Sequence, residues 1–183
     1  MSEVVRLTLV SHAMTDAMAA GRFPDDEPLN ALGCSQIDET LDQRDLEVAL
    51  SAPERRARLT AELLGLAPGV EPRLADLDVG RWRGYELAAV QPEQLATWLS
   101  RPESTPHGGE SVVALITRVH DWMDDVTRQP VRLTAVTHPA VIRAAILIAL
   151  EAPPKSFWRI DIAPASRTVL HFRGRWTLRW GQR

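Results

Sequence analysis

Cys34 is the single cysteine among 183 residues, so the chain can form no internal disulfide and cannot build a cysteine-based zinc cluster. Long apolar runs are missing as well. The longest, around residues 144–150, falls far short of the roughly 20 residues that span a bilayer. The chain also lacks a cationic excess: the net charge is −3, and no basic block or stripe appears. Nucleic acid is therefore not an expected partner, and affinity for an anionic ligand has to come from a local pocket. The first ten residues show no basic region followed by an apolar core and a cleavage site, so a cytoplasmic protein with no membrane partner is expected.

What is present is ordinary in amount. Hydrophobic residues make up 45% and charged residues 25%, as in soluble globular proteins. The length suits one well-filled core and is short for two, and no linker or low-complexity segment divides it, so residues 1–183 are expected to form a single domain. Short runs rich in β-branched and apolar residues predict strands at 4–10, 46–50 and 131–136, with a weaker candidate at 70–74. Helices are predicted over about 30–44, from Pro53 to about 64 with Gly65 closing it, from about 110 to 126, and over 139–150. Residues 76–84 read as an irregular loop, and 168–172 with 176–180 flank Arg173-Gly174 as a hairpin. Alternating strands and helices predict a three-layer α/β/α domain whose sheet is mainly parallel, made mixed by the hairpin. An exposed edge on that hairpin would permit pairing with a second copy of the chain, a homodimer.

One local similarity carries chemistry. The segment from Val5 to His12 (VRLTLVSH) closely matches the segment from Val131 to His138 (VRLTAVTH): a short apolar strand, a hydroxyl residue, then histidine. In a parallel sheet both strands deliver their histidines to the carboxyl edge, where open α/β sheets bind ligands. Pro139 favours a helix starting directly after His138, which turns free backbone N–H groups toward the same space and suits an anion. Arginines at 55, 56 and 58 lie in the first turn of the helix after Pro53, where they oppose the helix dipole. A bound phosphate, held through a guanidinium, would account for one of them.

These motifs resemble those of the histidine phosphatase superfamily, the phosphoglycerate mutase-like proteins. That family opens with a strand ending in Arg-His-Gly or Arg-His-Ala; here the residues are Ser11-His12-Ala13, with Thr15 following. Gly21-Arg22, Asp26 to Leu29, and Gly33 with Gln36 resemble the next loop and helix. Ser51-Ala52-Pro53-Glu54-Arg55-Arg56-Ala57 fits Ser-Ser-Pro-x-x-Arg-Ala. The run from Leu74 to Gly84 resembles Leu-x-Glu-x-x-x-Gly-x-Trp-x-Gly, and Pro106 to Ser111 resembles the Gly-Gly-Glu-Ser loop before a long helix. Val136 to Arg143 matches the second histidine segment, so the likeness covers almost the whole chain.

The resemblance implies a phosphomonoesterase acting on a small phosphorylated metabolite. His12 would attack phosphorus and become a transient phosphohistidine, Arg56 and His138 would stabilise the transferring group, and Asp76 would protonate the departing oxygen. Inorganic phosphate would be a ligand, and neither a metal nor an organic cofactor is implied. The sequence departs from the pattern in two places. Ser11 stands where the family has arginine, exchanging a charged clamp for one neutral hydrogen bond in the phosphate pocket. Asp76 replaces glutamate, which shortens the acid's arm, and Asp78 is an alternative acid. Arg22 is a candidate for the lost charge. Arg81 and Arg83 around Trp82, and His107 at the rim, are candidates for binding the substrate. Trp82 and Trp98 could line the mouth, while His120 and His171 belong to no motif and read as structural. A sugar-phosphate mutase is disfavoured because the chain lacks room for the mutases' larger insertions. The alternative from a different class is a phospho-ligand binding or regulatory protein that kept the fold and lost turnover, which Ser11 favours.

Overall fold

Residues 4–37, 48–128 and 131–179 are described in the computed structural model. Among them six strands form one mixed sheet: β1 (Val5–Ser11), β2 (Val48–Ser51), β3 (Gly69–Val70), β4 (Arg132–Thr137), β5 (Arg167–Phe172) and β6 (Trp176–Arg179). Their order is β3-β2-β4-β1-β5-β6. β1, β4, β2 and β3 run parallel, and β5 and β6 are antiparallel additions at one side. The strand at 46–50 is found as Val48–Ser51, with residues 46 and 47 outside the described residues. The candidate at 70–74 reduces to Gly69–Val70, because Pro72 starts a 3-10 turn over Pro72–Leu74 in place of a continued ladder.

The sequence of β1 alternates Val5, Leu7 and Leu9 with Thr8 and Val10, and all five are buried. Burial on both faces is what a central parallel strand requires. β1 pairs with β4 in a register that sets Arg6 against Arg132, Leu7 against Leu133, and so on to Ser11 against Thr137. The two similar segments therefore lie side by side, residue for residue. The backbone N–H of His12 donates to Thr137 O at 2.9 Å, extending the ladder to the histidine itself.

Among the described residues six α-helices accompany the strands: α1 (Asp16–Ala19), α2 (Ala31–Ser35), α3 (Arg55–Leu63), α4 (Pro92–Ser100), α5 (Val112–Val126) and α6 (Pro139–Ala149). The helix expected over 30–44 ends at Ser35, and residues 38–44 lie outside the described residues. α3 starts two residues after Pro53, with Glu54 extended at its N-cap, and Gly65 closes it with φ +72°. Helical elements not predicted include α1, α4, a 3-10 stretch over Pro154–Arg159, and short 3-10 turns at Gly80–Trp82 and Leu87–Ala89. For α4 a signal existed, since Pro92 sits at its first turn and buried Trp98 one face along. None of the described helices is long and apolar enough to cross a membrane.

Tryptophans join the loops to the core. Trp82 and Trp98 lie 5.6 Å apart edge to face, and Trp98 reaches Trp158 at 4.4 Å. Phe23 closes the same cluster, 5.4 Å from Trp82. Gly80, at φ +48°, and Gly109 bring the loop 76–84 and the loop 106–111 backbone to backbone; a β-carbon on either would collide with the other's main chain.

Candidate active site

β1, β2 and β4 end at the same sheet edge, and each delivers one part of the site there. His12 follows β1 and His138 follows β4 as the N-cap of α6. β2 leads through Ala52, whose N–H donates to Val136 O at 2.9 Å, into α3, where Arg56 is the second residue. His12, Arg56 and His138 are almost wholly buried.

The His12 Nδ1 lies 2.8 Å from Ala13 O. A carbonyl only accepts, so Nδ1 carries the hydrogen and the Nε2 lone pair is left available. Burial, followed by the charges of His138 and Arg56, holds the His12 pKa down at about 3, against the opposing pull of the Ala13 bond and Asp76. The imidazole is therefore neutral at physiological pH, as a nucleophile must be. The folded-state value lies below the unfolded one, so the unfolded chain gains a proton below about pH 6.5 that the folded chain does not take up until about pH 3. Stability should fall as pH drops across that window. In His12→Asn, urea denaturation between pH 7 and 4 should show a flatter decline than the wild type.

The His138 ring centroid is 5.1 Å from that of His12. Its Nε2 lies 2.8 Å from Glu54 Oε2 and its Nδ1 lies 3.5 Å from Asp76 Oδ2. Arg56 Nη2 donates to the same Asp76 oxygen at 2.7 Å. Asp76 Oδ1 accepts from Leu77 N at 2.9 Å, and the Asp76 N–H donates to Glu54 Oε1 at 3.0 Å. Burial works to raise the Asp76 carboxyl, but the charges of His138, Arg56 and His12 prevail and hold it at about 2. Among the described residues, Arg56 Nε and Nη1 are buried donors without a hydrogen-bond acceptor, and His138 Nδ1 is a buried ring nitrogen without a hydrogen-bond partner. Buried donors of this kind are uncommon in folded proteins and mark where an acceptor belongs.

A cleft of about 180 Å³ opens over these groups, lined at its base by His12, Arg56 and Asp76. Arg22 and Arg143 line its walls together with Phe23, Trp98 and Trp158. Arg143 is fixed by an Nε donation to Ile160 O at 2.7 Å, with its guanidinium over Phe157 and Trp158.

Several predicted site residues stand elsewhere. Ser11 is fully buried, and its hydroxyl, 3.4 Å from the His12 carbonyl, does not line the cleft. Asp78 is half exposed and tied to Arg83 at 2.9 Å and to Gly80 N at 3.0 Å, so Asp76 is the loop's carboxylate in the site. Arg83 is held by that pair and Arg81 by the Pro106 carbonyl, and neither lines the cleft. His107 is buried against Trp82 and Trp98, with its Nδ1 accepting from Gly109 N at 3.0 Å, which staples its own loop. Trp82 is core, whereas Trp98 reaches the cleft wall as well.

Glu54 and Arg143 were missed, as was Glu27, which also lines the cleft. A glutamate beside a helix N-terminus is what the dipole favours, so Glu54 carried no functional signal. Its side chain nonetheless makes no cap bond to α3 and reaches residue 138 instead. Arg143 had a readable one, standing one helical turn after Pro139 on a face that meets the cleft. Among the described residues there is no group of three or more His, Cys, Asp or Glu able to hold a metal ion.

The model of the histidine phosphatase superfamily (branch 1) matches residues 7–181. The chain belongs to this superfamily. It is 31% identical over 180 residues to the glucosyl-3-phosphoglycerate phosphatase of Mycolicibacterium vanbaalenii, covering 86% of this chain and 79% of that protein. It is 28% identical over 182 residues to a bifunctional protein of Mycobacterium tuberculosis, covering 91% of this chain and 50% of that one. The chain thus spans about half the length of the first curated relatives it matches. Among solved structures, a mycobacterial glucosyl-3-phosphoglycerate phosphatase in complex with VO3 superposes with a TM-score of 0.84 at 28% identity, over 96% of this chain and 97% of the other. The phosphoserine phosphatase of Entamoeba histolytica shares the fold at 22% identity, with a TM-score of 0.84 over 95% and 94% of the two chains. A histidine phosphatase fold explains why the six strands place both histidines at one edge.

Proposed function

We propose that this histidine phosphatase is a phosphomonoesterase for a small phosphorylated metabolite and works through a phosphohistidine at His12. The observation that carries the reading is the convergence of a neutral His12 Nε2 with the buried donors of Arg56 at one cleft, with the His138 ring 5.1 Å from that of His12. Such donors suit the three charged oxygens of a transferring phosphoryl group, for which catalysis is mostly positioning and electrostatics.

In the first step Nε2 bonds to phosphorus as the ester P–O bond breaks. The bound phosphoryl takes Arg56 Nη2 away from Asp76. This weakens a charge that keeps Asp76 ionised and sets a dianion beside it, so its carboxyl rises and holds the proton that the departing oxygen receives. In the second step the Asp76 carboxylate takes a proton from water as the oxygen attacks phosphorus, the P–N bond breaks, and inorganic phosphate leaves. Arg22 and Arg143 face the part of the substrate outside the phosphoryl group, a role that Arg81, Arg83 and His107 cannot fill from where they lie. Ser11 adds no charge to the pocket, which favours slow turnover or, as a second reading, a phospho-ligand binding protein.

The test is release of inorganic phosphate from a panel of phosphomonoesters with EDTA present, alongside calorimetric titration with inorganic phosphate. Turnover that persists in EDTA is expected. Phosphate binding without turnover on any ester would favour the binding protein, and neither binding nor turnover would overturn both readings.

A further inference from the structure

We infer that Glu54 is a positioning residue that stations the short-armed acid Asp76 against His138. The inference rests on the phosphatase reading for its kinetic consequences but has a structural readout of its own.

Both carboxylate oxygens of Glu54 are committed, and to the two groups that flank the reacting position: Oε2 to His138 Nε2 at 2.8 Å and Oε1 to the Asp76 N–H at 3.0 Å. Neither serves α3, the helix that Glu54 precedes. A carboxylate this close to a site for a dianion opposes the ligand's charge, so ordinary helix capping is a poor reason for its presence. What it does supply is reach. An aspartate arm is one C–C bond, about 1.5 Å, shorter than a glutamate arm, and its backbone must come correspondingly closer. The segment before Asp76 is held from the far side: Arg118 Nη1 donates to Arg73 O at 2.7 Å and Ala75 O at 3.1 Å, and Thr137 Oγ1 donates to Leu74 O at 2.7 Å. Glu54 provides the hold at residue 76 itself and ties it to the same histidine that Asp76 Oδ2 faces at 3.5 Å. Because a carboxylate only accepts, the Glu54 contact also keeps the hydrogen on His138 Nε2 and fixes the ring with Nδ1 toward the pocket. The Glu54 carboxyl follows this arrangement: burial pushes it up, but the hydrogen bond and charge of His138 and the Asp76 N–H bring it below its ordinary value.

The test compares Glu54→Met, which has similar length and no acceptor, with wild type in two backgrounds. On an alkyl phosphomonoester, whose leaving oxygen needs a proton, kcat/KM should fall by about 10²-fold, the lower end of what a positioned general acid contributes. On p-nitrophenyl phosphate, whose leaving group needs none, the fall should be under about 10-fold. In the Asp76→Glu background, where the longer arm no longer depends on the brace, the same substitution should cost only a few-fold. An equal cost on both esters and in both backgrounds would overturn the inference and leave Glu54 a general structural residue. Hydrogen exchange at the Asp76 amide decides the matter without turnover: it should be protected in wild type and fast in Glu54→Met. Unchanged exchange overturns the inference, whereas an inactive wild type with altered exchange overturns only the phosphatase reading. If Glu54→Met does not fold, Glu54→Gln serves. Its amide oxygen can accept from only one of the two N–H donors, so a smaller loss with the same ester dependence is expected, and an ester-independent loss contradicts the inference.

Discussion

Replacing His12 with alanine is expected to lower kcat for phosphomonoesters by a factor of at least about 10⁴, the size of effect seen when a nucleophile or its base is removed from a covalent mechanism. The reason is particular to the geometry. Among the described residues no other imidazole lines the cleft: His138 Nε2 is occupied by Glu54, and its Nδ1 faces Asp76. His12 alone combines a buried neutral ring with a fixed Nδ1–H, which its own neighbour Ala13 accepts. Inorganic phosphate should still bind to His12→Ala, since Arg56 and His138 remain, so calorimetry separates loss of chemistry from loss of the pocket. A variant that retains more than about one per cent of wild-type kcat would mean that His12 is a ligand and not the nucleophile.

Arg56→Ala should follow closely, with a loss of about 10³-fold in kcat/KM and a matching weakening of inorganic phosphate as a competitive inhibitor. Arg56 is the guanidinium at the base of the cleft, 2% exposed, and its Nε and Nη1 are among the buried donors without an acceptor in the described residues. Ser11 beside the nucleophile brings no charge, and the other arginines lining the cleft, Arg22 and Arg143, stand at its walls. The loss of Arg56 also deprives Asp76 of its 2.7 Å partner, which, after His138, helps keep its carboxyl low. Arg56→Lys should recover little, because an ammonium is a point charge on a flexible stem and cannot offer the planar fork. Steady-state kinetics with phosphate inhibition would measure both variants. An unchanged inhibition constant in Arg56→Ala would remove Arg56 from the phosphate site.

Much of this architecture can be read from one repeated phrase. VRLTLVSH and VRLTAVTH share their pattern of apolar and hydroxyl residues; they pair in parallel with no offset, and both histidines arrive at one edge. Arg56 was readable for the opposite reason, as a cation where the helix dipole disfavours it. Glu54 obeyed the local rule and so disclosed nothing: its function depends on a partner 84 positions away in sequence. The arginines around Trp82 misled in a comparable manner. Their spacing near a motif suggested the pocket, but Gly80 and Gly109 close the two loops backbone to backbone, and that packing turns Arg81 to Pro106 and Arg83 to Asp78. α1 has only four residues, too few to show a period, and α4 is nine residues long and anchored by Trp98 in the tryptophan cluster.

The most direct measurement is a rapid-quench experiment with a phosphomonoester labelled with ³²P at the phosphoryl group, stopped in alkali during the first turnover. The expected result is a transient phosphoenzyme that is stable to base and labile to acid. It should approach one phosphoryl per chain, map to the peptide carrying His12, and be absent from His12→Ala. Turnover with no labelled enzyme, or with an alkali-labile label on Asp76 or Glu54, would contradict a phosphohistidine at His12.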